Sequence, residues 1–366
     1  TEIYTLSLHD ALPIYFVGHK QKVKELLARI IEWQAAKGYP FSLFSEASID
    51  CARDDEILSL MVRAGFDMLF LGIETPHRET LKMVNKTQNL KTDIYQDVEK
   101  IQRSGIEVSG GFIVGFDSDP DDIFDLQIDS IQKLGIPLAM VGLLSVLPNT
   151  QLYRRLQKEN RLTSDPSGNN THDLRLTFEP RMPKQMLLEG YKRVISTIYS
   201  PKNYFERCLT LLKRMPPKKK VYRPIEIGGV KALFGSLWKQ TFSSYGIVYL
   251  TFLGKSLFFN YRLFSEAIAM AVKGYHLFKT TEEILKADAF STMLETSLNA
   301  LQGQMKEMFV QLNTQLSVEI EGCKSHVKNQ MQKKYDHLSQ EMKNYLEEAD
   351  RKSTRLNSSH VRQARM

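Results

Sequence analysis

Between Lys20 and Lys37 the apolar residues Val23, Leu26, Leu27, Ile30, Ile31 and Trp33 recur at helical spacing, and Gly38 ends the run. This predicts an amphipathic helix with a glycine stop. Phe41 to Ile49 (FSLFSEASI) changes to β-type composition and ends in small polar residues around Glu46, which predicts a strand. Asp54 is placed to cap a second helix through Ala64, Gly65 closes it, and Met68 to Thr75 (MLFLGIET) predicts the next strand. Helical material from Arg78 through Arg103, interrupted around Asn89, ends at Gly105 before a third strand, Glu107 to Phe116 (EVSGGFIVGF). Asp121 to Leu134 predicts a further helix and Leu138 to Leu147 a fourth strand.

Strands alternating with helices of ordinary length argue for a parallel sheet or barrel of βα units with right-handed crossovers. In such folds the chemistry sits at the carboxyl ends of the strands. Here those ends read Ser45-Glu46-Ala47-Ser48, Gly72-Ile73-Glu74-Thr75, Gly115-Phe116-Asp117 and Leu147-Pro148-Asn149-Thr150. Further on, a polar loop (Ser164 to Asn170) precedes helices predicted from Lys184 to Ser200 and from Pro201 to Arg214. From Ala232 to about Asp350 the pattern is almost wholly helical. Its last part, Leu294 to Tyr345, keeps apolar gaps of three and four residues, a coiled-coil-like seam with one stutter.

Composition sharpens this picture. With 366 residues, 42% of them hydrophobic and 25% charged, the chain has material for a sizeable core and a second domain. The net charge of +7 is spread, apart from a cluster at Lys213, Arg214, Lys218, Lys219, Lys220 and Arg223, whose plain reading is a solvated linker beside Pro216 and Pro217. Cys51, Cys208 and Cys323 are too far apart to form a short-spaced metal motif, so no metal ligand is assigned and a reducing, cytoplasmic location is expected. The most apolar stretch, Tyr245 to Ala271, is broken by Lys255, Arg262 and Glu266, and is expected to be a buried or interfacial helix.

Candidate chemistry concentrates at the strand tips. Gly111, Ile113 and Gly115 alternate along one strand face, where small residues let a flat ligand approach; simple close packing is the competing reading. Glu46 and Glu74 end adjacent strands and suit ribose hydroxyls or an amino group, or else pair with a nearby Lys or Arg. Ser45, Ser48 and Gly72 flank them. His172, with Asn169 and Asn170, is expected to be an ordinary loop residue, and Cys51 a small buried hydrophobe.

The stretches FVGHKQKVKELL, FSEASID, FLGIETPHRETLKMVNKTQN, GGFIVGFDSDPDDIF, MVGLLSVLPNTQLY, SGNNT and IYSPKNYFER occur in that order from Phe16 to about Met215. In these the chain resembles the radical S-adenosylmethionine proteins that carry an amino-terminal cobalamin-binding domain and a carboxy-terminal domain of unknown function. The resemblance implies an α/β fold, a partial TIM-type (β/α) barrel, incomplete here because the family's first two strands and their CxxxCxxC loop would precede FVGHKQKVKELL. An all-helical carboxy-terminal region with the coiled-coil-like seam would follow. It implies that Glu46 and Glu74 contact S-adenosylmethionine, that adenine rests against Gly111, Ile113 and Gly115, and that Leu147 and Pro148 form part of the last adenine wall. The thiolates of CxxxCxxC would bind three irons of a 4Fe–4S cluster whose electron cleaves the sulfonium.

Residues 1–14 and 351–366 resemble translated sequencing-adapter DNA and are expected to be foreign. The expected organisation is therefore a partial barrel over 15–160, a helical extension and basic linker over 161–222, and a helical domain over 223–350 containing the seam 294–345. The expected function is that of a truncated radical S-adenosylmethionine enzyme, its parent working with a 4Fe–4S cluster and cobalamin in methyl transfer or other radical chemistry, with no catalytic residue and no activity in this piece alone. A small-molecule or lipid substrate is expected, with no nucleic acid, and with peripheral membrane contact and a coiled-coil homodimer as candidate associations. The rival readings are a coiled-coil interaction module with a vestigial barrel, and a TIM-like hydrolase. The hydrolase is disfavoured because no nucleophile elbow, metal-binding His pair or triad signature is present.

Overall fold

The structure, a computed structural model, describes residues 18–163, 174–216 and 227–311 except 92 and 175, with isolated positions between 325 and 344. The adapter-like ends, the Asn169–Asn170–His172 cluster, Lys218 to Arg223, Cys323 and most of the seam beyond Gln311 lie outside the described residues.

Four strands, β1 (Leu43–Ala47), β2 (Phe66–Glu74), β3 (Glu107–Val114) and β4 (Ala139–Leu143), form one parallel sheet in sequence order. Each parallel step needs a crossover, and the helices supply it: α2 (Asp55–Ala64) between β1 and β2, α3 (Arg78–Met83), α4 (Thr87–Leu90) and α5 (Ile94–Ser104) between β2 and β3, and α6 (Ile123–Leu134) between β3 and β4. α1 (Lys20–Ala36) precedes the sheet; α7 (Gln151–Lys158) and α8 (Lys184–Ile198) come after it. Asp54 caps α2 by accepting from the Ile57 N–H at 3.1 Å, and Gly65 and Gly105 end α2 and α5 with left-handed backbone (φ 90° and 102°) that a side chain would strain.

Side chains alternate across the strands, and among the described residues only one face is fully covered. Ala47, Leu69, Leu71, Ile73, Val108, Phe112, Val114, Ala139 and Val141 are buried in a core shared with α1, α2, α5, α6 and α8. The register places Phe44, Glu46, Met68, Phe70, Gly72, Gly111 and Met140 on the opposite face, where Phe44 is 71% exposed. A parallel sheet normally has both faces covered, so this open face is the sheet's unusual feature.

Buried side-chain amides, invisible to periodicity, tie the layers together. Gln34 binds the carbonyls of Phe41 and Ala64, and Gln102 those of Leu134 and Gly135. Asn89 donates to the carbonyls of Gly72 and Ile73 (3.1 and 3.0 Å), and Gln127 to those of Glu74 and Ile113 (3.1 and 3.0 Å), so carbonyls at the ends of β2 and β3 are satisfied from helices.

A second core gathers α9 (Pro201–Arg214), α11 (Gly246–Asn260) and the first part of α12 (Phe264–Gln311). Phe205 stacks on Phe252 with centroids 4.6 Å apart, and the Tyr204 hydroxyl donates to the Met270 carbonyl at 2.8 Å. α10 (Ile227–Thr241) joins through Gln240, which donates to the Ala271 carbonyl. The basic cluster is not wholly a solvated linker: Arg214 donates to the carbonyls of Leu134 and Lys133 at the end of α6, and Lys213 lies over the Phe259 ring at 4.6 Å.

Residues 1–288 form one compact unit and residues 289–366 another. In the second unit, Leu294, Leu298 and Leu301 of the seam lie on α12. Among the described residues no helix is long and apolar enough to cross a membrane.

Several predicted elements are shorter than the pattern suggested. β1 ends at Ala47 because Ile49–Arg53 turns into a 3-10 helix, and the helical stretch from Arg78 to Arg103, expected to be interrupted around Asn89, is divided into three helices. β4 ends at Leu143, not Leu147: β3 stops at Val114, whose carbonyl takes a last hydrogen bond from the Leu144 N–H, and among the described residues no strand remains to pair with Ser145, Val146 and Leu147.

Candidate functional site

The register fixes which predicted residues share a surface. Glu46 lies opposite Phe70, Gly72 opposite Gly111, and Ile113 opposite Gly142, so Glu46, Gly72, Gly111 and Ile113 stand together on the open face near the strand tips. Glu46 is exposed there, and among the described residues its carboxylate has no ion-pair partner.

Glu74 is differently employed. A register shift between Gly72 and Glu74 and a positive φ of 65° turn its side chain, and the carboxylate meets Lys86 Nζ at 2.6 Å. A Cβ on Gly72 would fall 2.8 Å from that carboxylate and 3.0 Å from Lys86 Nζ, so the glycine makes room for the ion pair. A Cβ on Gly111 would likewise meet the Phe70 ring at 3.0 Å, and one on Gly115 would meet Leu187 at 3.2 Å. Each glycine thus has a protein neighbour, and close packing accounts for part of the pattern.

Other predicted residues stand apart from this group. Ser45 is paired opposite the buried Leu69, on the covered side of the sheet, and Ser48 caps the 3-10 turn by accepting from the Asp50 N–H at 3.4 Å. Leu147 and Pro148 are exposed in the loop after β4, so they are not part of the strand from which the adenine wall was expected.

The loop after β3 carries an arrangement that sequence reasoning missed. Asp119 accepts from the backbone N–H groups of Gly115 (2.8 Å) and Phe116 (3.0 Å) and from Thr80 Oγ1 (3.3 Å). Thr80, itself buried, also receives the Ser118 hydroxyl at 2.9 Å and meets His77 Nδ1 at 2.9 Å. Burial pushes the Asp119 carboxyl above the usual range, against the pull of those donors.

Asp117, its side chain only 4% exposed, is held by Arg161 through two hydrogen bonds (2.7 and 3.0 Å) and by Arg155 at 2.8 Å, with Arg181 at 3.9 Å. Burial raises the Asp117 carboxyl, but the Arg161 hydrogen bonds and the three guanidinium charges outweigh it and hold the group below the carboxylate range. A cleft of about 370 Å³ opens here, lined by Met83, Asn85, Phe116, Asp117, Leu152 and Arg155 among others, and none of the sequence-predicted site residues lines it. The acid directly after the glycine strand was a visible signal; its arginine partners, far along the chain, were not.

Asp117→Ala is expected to cost about 2 kcal/mol, less than a fully buried pair, because Arg155 and Arg181 can rehydrate and only Arg161 stays largely covered. The depressed folded-state pKa makes this stability fully present above the unfolded value near ~4 and lost as pH falls through the folded value. Urea midpoints measured from about pH 7 down to about pH 3 should therefore fall less for Asp117→Ala than for the parent.

Among the described residues the donor set does not suit an iron–sulfur cluster. Cys51 and Cys208 are wholly buried, and burial pushes both thiols up to about 12, so neither offers a thiolate at neutral pH. Among the described residues no three His, Cys, Asp or Glu side chains are grouped to hold a metal ion. Among the described residues the open face does suit an adenosyl group in its chemistry: it has an exposed carboxylate at Glu46, apolar surface at Phe44, Phe70 and Ile113, and small residues between them.

Residues 150–289 match a family model described as a domain of unknown function, DUF4070. The chain is 36% identical over 227 residues to the uncharacterized methyltransferase sll1242 of Synechocystis sp., a match covering 62% of this chain and 42% of that protein. It is 34% identical over 192 residues to the hopanoid C-2 methylase of Rhodopseudomonas palustris, covering 52% of this chain and 35% of that one. A solved structure of TsrM, a radical S-adenosylmethionine methyltransferase from Kitasatospora setae with cobalamin and a 4Fe–4S cluster bound, aligns with a TM-score of 0.36 at 13% identity, covering 70% of this chain and 49% of that one. The chain spans less than half the length of the curated relatives it matches. Those relatives are methyltransferases, so the similarity is to enzymes.

Proposed function

We propose that this chain is the part of a radical S-adenosylmethionine methyltransferase that seats the adenosyl group, its parent working with cobalamin and a 4Fe–4S cluster, and that it assembles no cluster alone. The observation that carries the reading is the open face of a parallel sheet ending in an exposed carboxylate, Glu46, without an ion-pair partner among the described residues, on a chain whose relatives are methyltransferases. S-adenosylmethionine supplies a transferable methyl group and, in the radical class, an adenosyl radical.

The chain's own residues have simpler tasks. Glu46 accepts hydrogen bonds from ribose hydroxyls or from the ammonium group, which an ionised carboxylate does at about twice the strength of a neutral acceptor. Phe70 and Ile113 give the adenine an apolar floor, and Gly111 lets that floor lie flat. Glu74, fixed by Lys86 and with its carbonyl tied to Gln127, sets the end of β2 so that the floor keeps its shape. Lipid-like substrates suit the reading, since the name of one relative sets it on hopanoids.

Titration calorimetry with S-adenosylmethionine tests the site. The chain should bind weakly, with Kd about 1 mM, and Glu46→Ala should weaken binding about tenfold. Equal affinity in both proteins would remove Glu46 from the site. Anaerobic reconstitution with iron and sulfide should leave the chain without a stoichiometric cluster signal in electron paramagnetic resonance; such a signal would refute the claim that it assembles none.

A further inference from the structure

α10 and α11 pack on the second core with one side each, and both leave an apolar side in solvent. On α10 and just beyond it, Phe234, Trp238 and Phe242 recur at intervals of one helical turn, with Trp238 at 72% exposure and its ring 5.0 Å from that of Phe242. On α11, Tyr249, Phe252 and Leu253 are buried, yet Ile247 and Phe258 are 84% and 87% exposed and Leu250 lies between them on the outward side. A helix that is apolar all round is ordinarily enclosed. Here it is half enclosed, and soluble proteins rarely leave large aromatic side chains grouped in water without a partner.

Charge identifies the partner. Residues 227–265 contain Lys231, Lys239, Lys255 and Arg262 and no Asp or Glu. Lys213 of α9 adds a cation over the Phe259 ring at 4.6 Å, and Arg262 lies over Tyr261, whose hydroxyl it also reaches at 3.1 Å. Two copies of a segment with four cations and no acid between Glu226 and Glu266 repel each other, which disfavours self-association. Spanning is also out of reach, because α11 has 15 residues where a span needs about 20. Aromatic side chains mixed with Lys and Arg are the chemistry of the bilayer interface, where rings enter the headgroup region and cations meet anionic lipid.

We propose that the outward faces of α10 and α11 dock on the surface of an anionic lipid bilayer, holding the protein on the membrane without crossing it. This docking does not depend on the cofactor reading: S-adenosylmethionine calorimetry can fail while vesicle binding succeeds, or the reverse.

The test is flotation of the full chain with phosphatidylcholine vesicles containing about 30% phosphatidylglycerol, with pure phosphatidylcholine vesicles for comparison. The chain should float with the anionic vesicles. Trp238→Ala with Phe258→Ala should lower the partition coefficient about tenfold or more, and Lys239→Glu with Lys255→Glu should abolish the preference for anionic vesicles. All four side chains lie on the surface, so both variants should melt like the parent, which separates lost docking from lost folding. Absence of flotation, or flotation that both variants retain, would overturn the proposal. So would light scattering that shows a dimer broken by the aromatic substitutions in a protein that ignores vesicles.

Discussion

Replacing Arg207 by Met should destabilise the first compact unit by about 4 kcal/mol, the largest effect expected of any single substitution considered. Arg207 is fully buried and donates to the carbonyls of Ile136 (2.9 Å), Ile198 (2.6 Å) and Pro137 (3.4 Å) and to the Gln132 side chain, between the rings of Tyr199 and Tyr204. No carboxylate is among these hydrogen-bond partners. Burial accordingly lowers its pKa. Removing a buried charge recovers desolvation energy, and where a whole network is replaced by apolar residues the exchange can be neutral. Here the acceptors stay behind, and each buried carbonyl left unpaired costs about 1–3 kcal/mol, so loss outweighs recovery. Arg207→Lys should recover little, because one ammonium cannot reach all the acceptors that the in-plane N–H groups reach around the edge of the guanidinium. Urea unfolding followed by circular dichroism measures both; a loss under about 1 kcal/mol for Met would show that Arg207 is not the tie between α9 and the sheet.

Gly190→Ala should cost about 3 kcal/mol. A Cβ at this position in α8 would fall 2.3 Å from the Phe124 ring of α6, well inside contact distance. Phe124 is itself buried, so the ring has no free space to retreat into, and the helices must separate. The opposite sign is informative too: Phe124→Leu with Gly190→Ala should recover part of the loss, whereas additive losses would mean that the two do not touch. Thermal unfolding of the two single variants and the pair gives the coupling directly.

Local features of the sheet were legible because they arise from short-range rules. Val23 to Trp33 carried the helical period, and Asp54, Gly65 and Gly105 carried the caps. The adjacency of Glu46, Gly72 and Gly111 came from strand order alone, since consecutive βα units place their tips side by side. Features that depend on distant partners were illegible. Nothing near Glu74 announces Lys86 as its partner or the bulge that turns it, and nothing near Asp117 announces Arg161. Gln127 and Asn89 read as ordinary polar helix residues, yet they satisfy carbonyls at the ends of strands. The end of β4 was placed too late because β-type composition continues past Leu143, while pairing depends on where the neighbouring strand stops.

The seat itself can be located by hydrogen–deuterium exchange with and without S-adenosylmethionine. Slower exchange confined to segments 44–48, 70–75 and 109–115 is expected, because the ligand would cover the open side of β1, β2 and β3. Protection appearing instead around 83–85 and 151–155, the walls of the Asp117 cleft, or no protection at saturating ligand, would contradict it.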